Sequence, residues 1–375
     1  MTKPDDSNER SPAKQETAAE KAAVSRGYWS EAWRQIRRRK LSMFSLYFVA
    51  FLVLVAIFSP AIAGTKPIVC KYKGNIYFPC LAYFNRNWEP PIFHKDKFRM
   101  RYPKNLKEKD PDSWAVWPLV FQDPYRPVAD GEWKDLPTNP YGKEGRPSSR
   151  NLFGTHRKGI DVFAQMVHGT RIALLIGFVA MGIATVLGIT MGALAGYMGG
   201  WIDILISRLI EVFLCIPALV LILATLAIVD KPTIWHVMVV IGMVRWTPIA
   251  RLTRAEFLKL KQTEYVSAAR GLGASRRRIM FRHILPNSLA PVLVPIAFGI
   301  ASAILVEAGL SLLGFSAPPP NPSWGNVLQS GKQNTTYWWT IAFPGVAIFL
   351  TVLAYNLIGE GIQEATDPKL REASK

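Results

Sequence analysis

Several chemistries are missing from this chain. There is no G-x-x-x-x-G-K-[ST] phosphate loop; Gly142-Lys143 and Gly331-Lys332 lack the upstream glycine and the Ser or Thr. That excludes nucleotide binding by this route. H-E-x-x-H is absent, and His94, His156, His168, His236 and His283 have no metal-ligand spacing. No G-x-S-x-G elbow is present to expose a serine nucleophile. Nothing in the pattern reads as a catalytic or metal site. Charge, too, is missing from long stretches: Ser42–Ala63, Ile172–Met198 and Tyr337–Gly359 carry none.

Each uncharged stretch exceeds or matches the ~20 residues that cross a bilayer as a helix. Ile204–Val229 and Ser288–Phe315 are similar but contain Arg208, Glu211 and Glu307, and Thr233–Ile249 is interrupted by Arg245. Six spans are expected. Taken singly, each run could be a buried helix of a soluble protein, but their number argues against it.

The 375 residues are 50% hydrophobic and carry a net charge of +18. Such a balance can signal nucleic-acid binding, but its placement argues otherwise. Residues 250–287 hold nine Arg and Lys against two Glu, and Arg37–Lys40 precede the first run, whereas the short segments 230–233 and 316–336 hold one Lys each. This is the positive-inside distribution, with both termini in the cytoplasm and no nucleic acid as partner.

Residues 1–25 read as a disordered cytoplasmic tail. The first apolar run starts too late for a cleavable signal peptide. Trp29, Trp33 and Ile36 then fall on one helix face, predicting an interfacial elbow helix over 26–41 before the first span at 42–63. Residues 64–150, with Trp88, Trp114, Trp117 and Trp133, predict a loop-rich folded insertion outside the membrane, with a hairpin over Val69–Phe78 turning at Gly74-Asn75. Cys70 and Cys80 are candidates for a disulfide there, with free thiols the alternative; Cys215 is expected to pack within the third span. In the second span Gly188, Gly192 and Gly196 recur every four residues, which predicts close helix packing.

Between two of the runs lies EYVSAARGLGASRRRIMFRHILPN, residues 264–287. Ser267, Ala268, Ala269 and Gly273 are small, so a helix backbone can approach another surface closely; Leu285 and Pro286 close the stretch. This pattern resembles the coupling loop of ABC importer membrane subunits, although Ser267 stands where that family has Glu. NLFGTHRKGIDVFAQMVHGTR (151–171), EAGLSLLGFSAPPPNPSWGNVL and NLIGEGIQEATDPKLR resemble the dipeptide/oligopeptide subfamily in order, with His156 in place of Asp and Ile160 in place of Arg. The chain is thus similar to the C-type permease subunit of such importers. Its insertion, with KPIVCKYKGNIYFP and WAVWPL, resembles the branch that imports microcin C-type peptides.

The resemblance implies an all-α integral membrane protein: a five-helix importer core within 151–359, one peripheral span, and a cytoplasmic tail at 360–375. It implies a multi-pass subunit of the bacterial cytoplasmic (inner) membrane. The implied partners are a second related membrane subunit, two ATP-binding cassette subunits that hold ATP and Mg, an extracytoplasmic solute-binding protein and the lipid bilayer. No cofactor is expected in this chain. The implied function is ATP-driven uptake of dipeptides or oligopeptides. Nickel or another solute as cargo, a self-contained channel or ion-coupled transporter, and a receptor built on the insertion are the alternatives. Among the site residues, Ser267, Ala268, Ala269, Gly273, Leu285 and Pro286 are expected to couple to the cassettes. Glu307 is a candidate for the translocation path and Pro322, Ser323 and Trp324 for contact with the binding protein. Arg208 and Glu211 are spaced to pair, Pro217 to kink the third span, and Arg245 and Trp246 to anchor the end of the fourth.

Overall fold

The computed structural model describes residues 28–84, 102–125, 145–147, 151–156, 159–230, 232–315, 321–332 and 336–366. The tail at 1–25, Trp88 and Trp133, and the last residues from 367 lie outside them.

Helix α1 (Tyr28–Arg38) meets α2 (Lys40–Ile57) at Arg39, whose backbone is extended (φ −85°, ψ 101°). One residue therefore separates the two helices. At 1.5 Å per residue α2 is ~27 Å long, close to the hydrocarbon thickness. Phe44, Tyr47, Phe51 and Leu54 are exposed on one side of it, while Ser42, Ser45, Val49, Leu52 and Ala56 are buried on the other.

After the short α3 (Ser59–Ile62) comes the insertion. Strands β1 (Val69–Tyr72), β2 (Asn75–Tyr77) and β3 (Trp114–Val116) form an antiparallel sheet in the order β2-β1-β3, with helix α4 (Tyr102–Lys109) between β2 and β3 in sequence. The hairpin is where the sequence puts it, but its turn falls one residue early. Lys73 (φ 47°) and Gly74 (φ 82°) are its two left-handed residues, the requirement of a tight two-residue hairpin turn.

Of the two alternatives for Cys70 and Cys80, the structure has the free thiols. Cys70 sits in β1 opposite Tyr77 and Ala115, and Cys80 follows in a 3-10 turn, its thiol donating to the Ile68 carbonyl at 3.4 Å. Both are buried free thiols, and burial pushes the Cys70 thiol up to about 11, so it stays protonated at neutral pH. The insertion is fastened to the helices: Leu119 N donates to Ala61 O (3.1 Å), Gly64 N to Val120 O (3.1 Å), and Thr65 N to the Tyr83 hydroxyl (2.9 Å). The His168 ring bonds Ala63 O at 2.7 Å.

Helix α5 (Val162–Met198) is N-capped by Asp161, whose Oδ1 accepts from Ala164 N at 2.7 Å. A turn at Gly199 leads into α6 (Gly200–Cys215) and α7 (Ala218–Ala227), bent by 86°. The break falls at Ile216-Pro217, as the proline predicts. Helix α8 (Ile234–Leu260) follows, then α9 (Glu264–Gly271) and α10 (Arg276–Arg278). A π turn (Ile279–Ile284) carries α10 without a break into α11 (Leu285–Leu312). Helices α12 (Trp324–Lys332) and α13 (Trp339–Thr366) complete the body. Helix α13 continues past Gly359, so the expected tail at 360–375 begins as helix.

The central seam joins α5 to α8. A methyl group on Gly188 would lie 2.7 Å from the Ile249 side chain, on Gly192 2.5 Å from Ala250 O, and on Gly196 2.6 Å from the Phe257 side chain; on Gly242 it would lie 2.7 Å from Ala180 O. The every-fourth-residue glycines thus do pack a helix face closely. The pairs advance together along both helices, so α5 and α8 are parallel, and the bent pair between them must return the chain along their length.

Four helical stretches are long and apolar enough to cross a membrane: α2, α5, Arg276–Leu312 and α13; the bent pair makes a fifth. Helix α8 has the length, but Arg245, Arg251, Arg254, Glu256 and Lys259 keep it out of that group. Four to five spans therefore stand on composition, where six were expected.

Candidate functional site

Helix α9 projects from the end of α8 through a short turn, Lys261–Thr263. Val266 is its buried apolar anchor, packed in one cluster with Tyr197, Phe257, Ile279 and Ile284. Lys261 Nζ donates to Tyr197 O at 2.7 Å, binding the base of α9 to the end of α5. The Arg254 guanidinium grips Asp203 with two bonds, Nε to Oδ1 at 2.5 Å and Nη2 to Oδ2 at 2.7 Å, which ties α8 to the start of α6. Asp203 was not singled out in the sequence; its position just after Gly199-Gly200, facing a basic helix, was the available signal.

On this support the small residues look outward. Ser267 and Ala268 are exposed, Ala269 is half-buried, and Tyr265, Ala268 and Leu272, at i, i+3 and i+7, form one exposed stripe with Leu272 at 89% exposure. An apolar side chain that far from cover on a basic surface is out of place in water. Arg276, Arg277 and Arg278 are all exposed beside it.

Gly273 has a different reason to be small. Gly273 N donates to Arg270 O and Ala274 N to Ala269 O, both at 3.0 Å, the paired bonds that close a helix through a left-handed residue. Its φ is 79°, and nothing lies within 4 Å of where a side chain would begin. The expectation that a partner's surface alone keeps Gly273 small is corrected: the backbone requires glycine. Ser275 restarts the helix, its Oγ accepting from Arg278 N at 3.4 Å. Leu285 and Pro286 do not close a loop; they lie inside the continuous helix, where the π turn just before Pro286 accommodates its missing N–H. Leu285 packs against the cluster under α9.

At the other end of the molecule the expected roles change. Glu307 is 3% exposed; Ser311 Oγ donates to its Oε1 at 2.9 Å and Ser323 also bonds it. A carboxylate enclosed by its own chain does not line a path. Pro322, Ser323 and Trp324 are buried as well. Ser323 caps α12 by accepting from Asn326 N at 3.1 Å, and Trp324 Nε1 donates to Met166 O at 3.0 Å, its ring against Gly169. Trp324 holds α12 onto α5, Ser323 ties it to Glu307 of α11, and with Pro322 all three are buried within the chain rather than presented to a binding protein. The segment 151–162 is likewise structural: the Thr155 carbonyl accepts from Trp339 Nε1 at 2.9 Å, and His156 N donates to Ile160 O at 3.1 Å, so the two positions that depart from the subfamily pattern meet through the backbone.

Arg208 and Glu211 pair at 2.6 Å as spaced, on an exposed face, and Cys215 is exposed rather than packed. Arg245 and Trp246 lie mid-way along α8, which runs on past Ile249 to Leu260. Trp246 is buried against Phe213 with ring centroids 5.7 Å apart, and Arg245 Nη2 donates to Ser302 of α11. A charge at such a position costs ~2.5–3.5 kcal/mol on insertion scales. No group of three or more metal-ligating side chains occurs among the described residues.

Residues 188–372 match the model of the binding-protein-dependent transport system inner membrane component, and residues 27–77 that of the N-terminal TM domain of oligopeptide transport permease C. The dipeptide transport system permease protein DppC of Alkalihalophilus pseudofirmus is 40% identical over 235 residues, 62% of this chain and 77% of its own length. The inner membrane ABC transporter permease protein YejE of Escherichia coli is 33% identical over 340 residues, 90% of this chain and 96% of its own. The peptidoglycan transport system permease protein YejE of Agrobacterium fabrum is 29% identical over 356 residues, 90% of this chain and 92% of its own. Among solved structures, the MetNI methionine ABC transporter overlaps 54% of this chain and 96% of its own, with a TM-score of 0.46 and 17% identity. The YejE matches leave too few residues outside them to omit the insertion. A chain of apolar spans that matches such relatives nearly end to end belongs to the inner membrane permease subunits of peptide ABC importers, a family whose members work with ATP-binding subunits and a partner permease.

Proposed function

We propose that residues 264–287 are the coupling surface of this permease. The observation that carries this reading is the exposed stripe Tyr265, Ala268 and Leu272, raised on a helix that is itself clamped to the ends of α5, α6 and α8. A movement of α9 would therefore reach three helices at once. In this reading the stripe enters a groove on an ATP-binding cassette. Two cassettes hold ATP and Mg, a second permease pairs with this one, and a solute-binding protein delivers peptide from outside. Peptides are the cargo class of this reading, and the resemblance to the microcin C-type branch, supported by the shared insertion, includes microcin C-type peptides among them.

Affinity purification of the chain expressed with its neighbouring transporter genes tests the assembly. Two cassettes and a sister permease should be recovered with it; recovery of this chain alone with intact transport would defeat the reading.

Six spans with both ends inside complete the proposal. The parallel packing of α5 and α8 supports it, since the bent pair must then cross between them. So does the clamp of Arg39 on Glu364 (2.9 Å) and Glu360 (3.7 Å), which holds the two ends of the chain together. In a Cys215→Ser background, a membrane-impermeant thiol reagent should label Asp112→Cys, exposed in the insertion, and leave Arg277→Cys unlabelled in intact cells. Labelling in the opposite sense would overturn the orientation.

A further inference from the structure

Among the described residues Arg245 has no counter-charge. It lies eleven residues into α8 from Ile234, ~17 Å along the helix, and Ser302 lies ten residues before the end of α11, ~15 Å from it. The start of α8 and the end of α11 are neighbours: Ile234, Val237, Val306 and Leu310 share one apolar cluster. Both helices thus put the guanidinium ~15–17 Å from their shared end, a distance about half the ~30 Å thickness of a hydrocarbon layer.

Around it the described residues supply the Ser302 hydroxyl and no anion. Ser302 accepts from Nη2, while Nε is buried without a partner. Among the described residues no carboxylate forms an ion pair with it, and Glu307 is turned to Ser311 and Ser323. The adjoining strip is uncovered. Pro248, three residues on from Arg245, and Leu305, three on from Ser302, are exposed, and nothing lies within 4 Å of a side chain built on Gly309.

From this geometry we infer that Arg245 receives a carboxylate of the cargo midway through the membrane. A guanidinium offers a planar fork that fits a carboxylate with two charge-assisted bonds. Ser302 fixes the orientation of that fork and leaves its charge uncancelled, which suits an anion that arrives and departs. Every unmodified peptide presents an α-carboxylate whatever its side chains, so one arginine can serve a mixed cargo. The inference rests on the peptide-importer reading above.

The test compares uptake of a free-acid peptide with its C-terminal amide by the complete transporter in proteoliposomes, for the native complex and for Arg245→Gln. The binding protein is common to both, so its own preference cancels in the ratio of ratios. The substitution should lower the free-acid to amide ratio about tenfold or more, because only the free acid loses a charge-assisted pair, with the subunits still copurifying. Ser302→Ala, which keeps the charge, should raise KM for the free acid and leave the amide alone; it decides the matter should Arg245→Gln fail to assemble. Equal loss for both peptides would overturn the inference and assign Arg245 to a standing pair with the sister subunit. An unchanged ratio would overturn it too. Uptake of neither peptide by the native complex would remove the peptide reading, and this inference with it.

Discussion

Gly192→Ala should remove most of the folded chain from the membrane, and Gly182→Ala should have no effect. Both glycines lie in α5 and both would gain one methyl group. At Gly192 the methyl would sit 2.5 Å from Ala250 O, 2.7 Å from Thr253 Cβ and 3.0 Å from Arg254 N. Two of those three atoms belong to the α8 backbone and cannot turn aside as a side-chain tip can. Overpacking a well-filled contact costs ~1–3 kcal/mol or more, and here relief requires the helices to part along the whole seam, which opens the Gly188 and Gly196 contacts too. At Gly182 nothing lies within 4 Å of the added carbon, so the change only trades glycine for a better helix former. The measurement is the yield of monodisperse chain after detergent extraction, with thermal unfolding of what remains. Equal yields and melting temperatures for the two variants would show that the seam is looser than drawn.

That seam was legible in the sequence because its signal is local: three glycines on one helix face state that something comes close, though not what. The apolar runs and the hairpin were legible for the same reason, each being set by residues a few positions apart. The misreadings involve partners far apart. Trp324 was expected at a surface because it follows prolines in a short segment between spans; its partner, the Met166 carbonyl, lies 158 positions away. For Glu307 the sequence left a path role and a bond within the bundle both open, and its own chain supplies the second through Ser311 and Ser323. Arg245 was taken for an anchor because its neighbour is tryptophan, and only the meeting of α8 with α11 shows its depth. The Asp203–Arg254 pair spans 51 positions and the Ser42–Leu357 bond 315; no window along the sequence contains either. In the coupling stretch the reason given for Gly273 was incomplete, since glycine is small both where a surface approaches and where φ is positive.

That distinction selects the decisive variant for the coupling surface. Gly273→Leu would strain a backbone held at φ 79°, so its failure would report the turn and not the partner. Ala268→Trp has no such defect: Ala268 is exposed, lies within a regular helix and stands between Tyr265 and Leu272 on the outward stripe. A tryptophan there clashes with nothing in this chain. The variant should enter the membrane, keep the melting temperature of the native chain and pair with the sister permease. Its peptide uptake should fall at least about tenfold, the factor that corresponds to ~1.4 kcal/mol of lost docking free energy. The cassettes should either separate on purification or stay bound with hydrolysis no longer stimulated by peptide-loaded binding protein. The opposing account is that the stretch merely rests its arginines against anionic lipid head groups, each worth ~1 kcal/mol near a charged membrane surface. On that account the tryptophan is nearly silent and a triple change of Arg276, Arg277 and Arg278 to Gln abolishes uptake. Native uptake in Ala268→Trp together with loss in the triple variant would transfer the function of this surface from cassette to lipid. Loss in Ala268→Trp alone, with folding and pairing intact, establishes α9 as the element through which the cassettes move the spans.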